Sequence, residues 1–189
     1  MATVVTVPAA TDEILATWGQ AVAYALNGAG IAAAVTVDDS PQMQVVGLTV
    51  PAGYLVAGAA YRLVAYGTAS NSGATPRALT LRVRCGPTTL TGNIAGSRAP
   101  NITATAAGEG FMVEFLFTVR TAGASGTCIA NGVTVGGASE PLNTSSFVSN
   151  ETSTVAVDTT VDNILELTAV TAHSEGTAVF TVANIARVA

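Results

Sequence analysis

GFMVEFLFTVRTAG, residues 110–123, alternates without a break: Phe111, Val113, Phe115, Phe117 and Val119 fall on one side, and Glu114, Thr118 and Arg120 on the other. Successive side chains of a strand point to opposite faces, so a period of two marks a strand that is buried on one face only.

The same grammar extends in both directions. MQVVGLTVPAGYLVAG (43–58), AYRLVAYGTAS (60–70) and ALTLRVRCG (78–86) precede it. GTCIANGVTVGG (126–137), SSFVSN (145–150), NILELTAVTAH (163–173) and TAVFTVANIARVA (177–189) follow. Turn-forming clusters separate the runs: SNSGATPR (70–77), GNIAGSRAPN (92–101), AGASG (122–126), GGASEP (136–141), NET (150–152) and HSEG (173–176). About eight to ten strands with regular turns and no helical crossovers predict a mainly β chain, an antiparallel jelly-roll or β-sandwich domain over residues 42–189.

Residues 1–41 read differently. MATVVTVPAA looks like an extended arm, and TDEILATWGQAVAYALNG (11–28) like one short amphipathic helix. Thr11 or Asp12 can cap it, and Asn27-Gly28 supplies a left-handed stop. Ile14, Trp18, Val22 and Leu26 recur every four residues, flanked by Leu15, which gives one apolar stripe. Such a helix is marginal alone and needs a surface to pack on. These five residues are the candidate partner-docking set, the alternative being that the stripe covers the chain's own sheet, and residues 1–41 form the expected arm, helix and linker.

Composition sharpens the question of partners. The 189 residues are 49% hydrophobic and only 10% charged, with a mean hydropathy of +0.50. Disorder needs the opposite balance, whereas a surface this poor in charge suits a subunit that other subunits cover. Every basic residue is arginine, which reads first as the codon bias of a GC-rich genome and otherwise as bidentate pairing across interfaces. A net charge of −5 without a basic cluster excludes binding to nucleic acid by counterion release. No apolar run approaches the ~18 residues that cross a bilayer, and MATVVTVPAATDE is no secretory signal, so the expected site of synthesis is a cytoplasm.

The residues that carry chemistry do not converge. His173, the single histidine, sits in the turn TAHSEG, and neither it nor the cysteines have metal-ligand spacing. Cys85 shares a strand face with Leu79, Leu81 and Val83, whereas Cys128 lies opposite Ile129, Val133 and Val135; pairing of the two stays open. Glu109 and Glu114 facing Glu166 would give a glycosidase-type pair, though a chain with twelve acids produces such pairs by chance. Arg82 and Arg84, opposite Leu81 and Val83, read as cross-strand ion pairs, intersubunit ion pairs or a solvated face. The expectation is no enzyme, no cofactor and no metal.

LTVPAGYLVAGAAYRLVAYGTASNSGATPRALTLRVRCG (48–86) resembles a module of tailed-bacteriophage structural proteins, in which a VPA-x-x-L-x-x-G stretch leads into paired strands. NILELTAVTAHSEGTAVFTVANIARV (163–188) is similar to its chain end, so the likeness spans about residues 45–189. The resemblance implies a non-enzymatic jelly-roll virion subunit, often a homotrimer, assembled in the host cytoplasm. It would be a capsid decoration protein attached to the major capsid protein, or to other virion proteins, through its N-terminal segment. The alternative is a tail or head fibre module that binds the host surface.

Overall fold

A computed structural model describes residues 28–39, 41–136, 142–143 and 153–189. The expected helix and its stripe of Ile14, Leu15, Trp18, Val22 and Leu26 lie outside these residues, as does SSFVSN. The described chain is built of strands: β1 (Gly28–Gly30), β2 (Val35–Val37), β3 (Met43–Val50), β4 (Ala60–Asn71), β5 (Arg77–Gly86), β6 (Asn93–Arg98), β7 (Asn101–Ile102), β8 (Glu109–Thr121), β9 (Gly126–Gly136), β10 (Leu142–Asn143), β11 (Val155–Val157), β12 (Asn163–Thr171) and β13 (Gly176–Arg187). No helix among the described residues is long and apolar enough to cross a membrane.

The strands form two antiparallel sheets. Sheet I runs β1-β13-β4-β8-β9-β11, with β2 also paired to β13; sheet II runs β10-β7-β5-β12-β3, with β6 also on β5. The alternation in β8 comes out as read. Phe115 and Phe117 are fully buried and face inward, and Leu116 between them is 47% exposed. In sheet II, Leu79, Leu81 and Val83 of β5 and Leu165, Leu167 and Ala169 of β12 point inward. One continuous core joins the inner faces, so the architecture is a β-sandwich. Two edge-to-face ring pairs lie in it, Phe111 with Phe180 (centroids 5.3 Å apart) and Tyr61 with Phe117 (6.2 Å).

Three local readings change. Gly28 does not take the left-handed stop conformation: it is extended in β1 and pairs with Ala186. Residues 28–37, expected as the helix stop and the linker after it, contribute two short strands to sheet I, because the exposed backbone edge of β13 offers them hydrogen bonds. GNIAGSRAPN, expected as a turn, contains β6, which pairs with β5 over Leu81 to Cys85. Its glycines and asparagine signal a turn locally, but burial of Ala95 and a free edge on β5 decide otherwise.

Close approaches also shape the sandwich. Gly67 sits where β13 bulges between Phe180 and Val182, and a Cβ there would stand 2.2 Å from the carbonyl oxygen of Val179. Asn71, buried at the end of β4, donates from Nδ2 to the carbonyls of Thr75 (2.8 Å) and Thr103 (3.0 Å). Its Oδ1 accepts from the amide of Gly73 at 2.9 Å, so this side chain closes the SNSGATPR turn and, through Thr103, ties it to the loop after β7.

Candidate functional surfaces

The two outer faces of the sandwich have opposite chemistry. On sheet I, register aligns side chains into rows across four strands. Val182 of β13 lies opposite Tyr66 of β4, Tyr66 opposite Met112 of β8, and Met112 opposite Val135 of β9. Val182 is 52% exposed, Tyr66 45% and Val135 43%, so this apolar row is open to solvent. The next rows are Asn184, Val64, Glu114 and Val133, then Ala186, Arg62, Leu116 and Asn131. Arg62 and Glu114 form a bidentate ion pair within this apolar surround. Sequence reading placed Glu114 on the outer face but did not foresee that Ile129, Val133 and Val135 share it. Inward-facing Cys128 is the reason: in β9 the core side is taken by Cys128, Ala130, Gly132 and Thr134, and the larger apolar residues turn outward.

Sheet II carries a polar cluster. Arg82 and Arg84, two residues apart on the outer face of β5, lie opposite Thr168 and Glu166 of β12. Arg82 Nη1 and Arg84 Nη2 both donate to Oε1 of Gln42, at 3.1 and 2.9 Å. Gln42 Nε2 donates to the Thr168 hydroxyl, and Arg84 Nη1 donates to the carbonyl of Gly92 at 2.9 Å. Glu166 is fully buried, yet its oxygens do not bond either guanidinium. Oε2 accepts from Gln44 Nε2 and Oε1 from the amide of Leu90, both at 2.6 Å. Burial lowers the pKa of Arg84, the charge of Arg82 lowers it further, and Glu166 acts the other way.

Other candidates separate in space. Glu109 and Glu114 both belong to β8 of sheet I and Glu166 to β12 of sheet II, so neither faces Glu166 across one sheet as the glycosidase-type pairing required. His173 occupies the β12–β13 turn, its Nδ1 3.6 Å from Oε2 of Glu175, the carboxylate that also bonds Arg77. Cys85 and Cys128 are both buried and free. Burial pushes the Cys85 thiol well above its usual value and that of Cys128 up to about 12. Among the described residues, no three His, Cys, Asp or Glu side chains gather in a way that would hold a metal ion.

No family model matches the chain, and neither a curated protein nor a solved structure does.

Proposed function

We propose that this chain is a non-enzymatic structural subunit that completes its burial by assembly, as a capsid decoration protein of a tailed-phage virion does. The observation that carries the reading is the outer face of sheet I, where Val182, Tyr66, Leu116 and Val135 remain more than two-fifths exposed over four adjacent strands. Contiguous apolar surface of this kind is what protein–protein contacts cover. Support also comes from where the chain enters: β1 is hydrogen-bonded at the β13 edge of that same sheet, with Gly28 in line with Ala186, Arg62 and Leu116. Gly28 thus stands at the edge of the apolar rows, and Ile14, Leu15, Trp18, Val22 and Leu26 are the residues we assign to docking. The sandwich takes the part of the jelly-roll module, the partners are further copies (a trimer) and the major capsid protein or other virion proteins, and the location is the virion.

Light scattering on the full chain and on a chain lacking residues 1–28 tests this reading. An oligomer that survives truncation assigns the symmetry to the sandwich and frees the N-terminal segment for the particle. An oligomer that falls to monomers makes the segment the bundling element. A full-length monomer with no affinity for particles would overturn the proposal.

A fibre module that binds the host surface is the second reading. It is favoured by one observation, the paired guanidinium groups on the outer face of sheet II.

A further inference from the structure

We infer that Arg82 and Arg84 anchor a binding site for a carboxylated saccharide on the outer face of sheet II, with the amide of Gln42 holding the place of the sugar carboxylate. The inference deepens the fibre-module reading and is independent of assembly through sheet I.

The charge balance of the cluster points to a missing anion. Two guanidinium groups converge on one neutral acceptor, Gln42 Oε1. Among the described residues neither has a carboxylate oxygen within 4.0 Å. The nearby carboxylate is Glu166, and its oxygens are committed to Gln44 and to the amide of Leu90. The cluster thus carries two positive charges against one negative, in a chain whose net charge is −5. Arg84 Nε is buried without a partner among the described residues. The lowered pKa of Arg84 has the same origin, since a desolvated cation beside another cation lacks compensating charge.

Geometry supplies the exchange. Gln42 precedes β3 rather than lying within it, so its side chain can leave without breaking the ladder. A carboxylate in its place would receive N–H groups from both arginines, and such charge-assisted bonds are about twice as strong as neutral ones. The surroundings favour a sugar over an acidic peptide. Ser97 lies opposite Arg82 and Ile94 opposite Arg84, with Gln44 on the far side of β12. Amides and hydroxyls match sugar hydroxyls, and Ile94, 39% exposed, offers one small apolar contact for a ring face. A peptide would want apolar anchors in pockets, and Ile94 alone does not make one.

The test titrates the full-length protein with glucuronate at constant ionic strength and follows the arginine Nε–Hε NMR signals. Glucose, acetate and a hexaglutamate peptide serve as the comparison ligands. A saturable shift of the Arg84 signal with glucuronate is expected, at a dissociation constant of about 1 mM and at least tenfold tighter than for acetate or glucose. Arg84→Gln, followed through the Arg82 signal, should weaken binding at least tenfold, whereas Arg62→Gln, on the opposite face, should leave it unchanged. Gln42→Glu places a carboxylate in the site from within, so it should raise the thermal midpoint and abolish the glucuronate shift. That variant decides the matter even if Arg84→Gln fails to fold. Equal responses to glucuronate and acetate, tighter binding of hexaglutamate, or undiminished glucuronate binding by Gln42→Glu would each overturn the inference.

Discussion

Arg62 and Glu114 meet as a two-pronged pair across β4 and β8, Nε to Oε1 at 2.8 Å and Nη2 to Oε2 at 2.9 Å. They sit among apolar residues, with exposed Leu116 directly opposite Arg62 and buried Val64 directly opposite Glu114. A fork-to-fork pair fixes orientation as well as charge. Its surroundings make it a register mark for whatever covers the face.

The pair has an acid signature. The hydrogen bond from Arg62 holds the Glu114 carboxyl below its usual value, and the hydrogen bond from Arg77 does the same for Glu175. A carboxylate with a depressed folded-state pKa stabilises the fold fully above its unfolded value, ~4.3, and that contribution is lost as pH falls through the folded value. Thermal midpoints should therefore be flat from neutrality down to about pH 5 and fall below ~4. Glu114→Gln with Glu175→Gln should start lower at neutral pH and fall less steeply. An unchanged slope in the double variant would mean that other carboxylates govern acid unfolding.

Asn71 holds more of the fold together than its position at a strand end suggests. It spans the turn at Gly73 and Thr75 and the loop at Thr103 with one amide. Asn71→Ala leaves the buried amide of Gly73 without that acceptor and two carbonyls without a donor, a loss of about 2 kcal/mol. Urea denaturation should show a lower midpoint with an unchanged slope, since the extent of the folded surface stays the same.

The cysteines should be silent in the native state. Both are buried in the core, and the thiolate needed for reaction is disfavoured there. Ellman's reagent at pH 8 should label neither Cys85 nor Cys128 until the chain unfolds, with a labelling rate that tracks denaturant concentration. Immediate labelling of one thiol in native buffer would show that its strand opens locally.

The division between what was and was not legible follows the range of the forces involved. The large apolar residues of β8 report their burial locally, because Phe111, Phe115 and Phe117 have one face to fill and the chain alternates to fill it. Arg82 and Arg84 against Leu81 and Val83 are legible for the same reason. Residues 163–171 are not. Leu165, Leu167 and Ala169 face the core, but Glu166 and Thr168 between them are also fully buried, so alternation carries no contrast there. What covers Glu166 comes from Leu90 and Gln44, 76 and 122 residues away in sequence. The Arg62–Glu114 pair likewise needs the β4–β8 register, which no local pattern encodes. In β9 the signal misleads: small Cys128, Ala130 and Gly132 fit the crowded inner side, and the outer side receives the residues that a hydrophobic count would bury. The apolar face of sheet I was therefore invisible until the register was known.

Trp18 makes that face measurable. It is the chain's single tryptophan, so its emission reports one position without interference. If the N-terminal segment seats its apolar stripe on the outer face of sheet I, in its own or a neighbouring copy, Trp18 should emit well to the blue of tryptophan in water. Tyr66→Lys combined with Leu116→Lys places charge among exposed side chains without touching the core, so the sandwich should keep its thermal midpoint within a few degrees. The emission should then move to the red and the oligomer seen by light scattering should dissociate. Trp18→Ala should have the same effect on the oligomer while Phe115→Ala, which opens a cavity costing about 3–5 kcal/mol, lowers the midpoint instead. A blue-shifted Trp18 that ignores the two lysines would place the stripe on another surface and leave the sheet I face for a different protein of the particle. Emission like that of free tryptophan in the intact oligomer would remove the segment from assembly in solution and assign it to the particle surface alone.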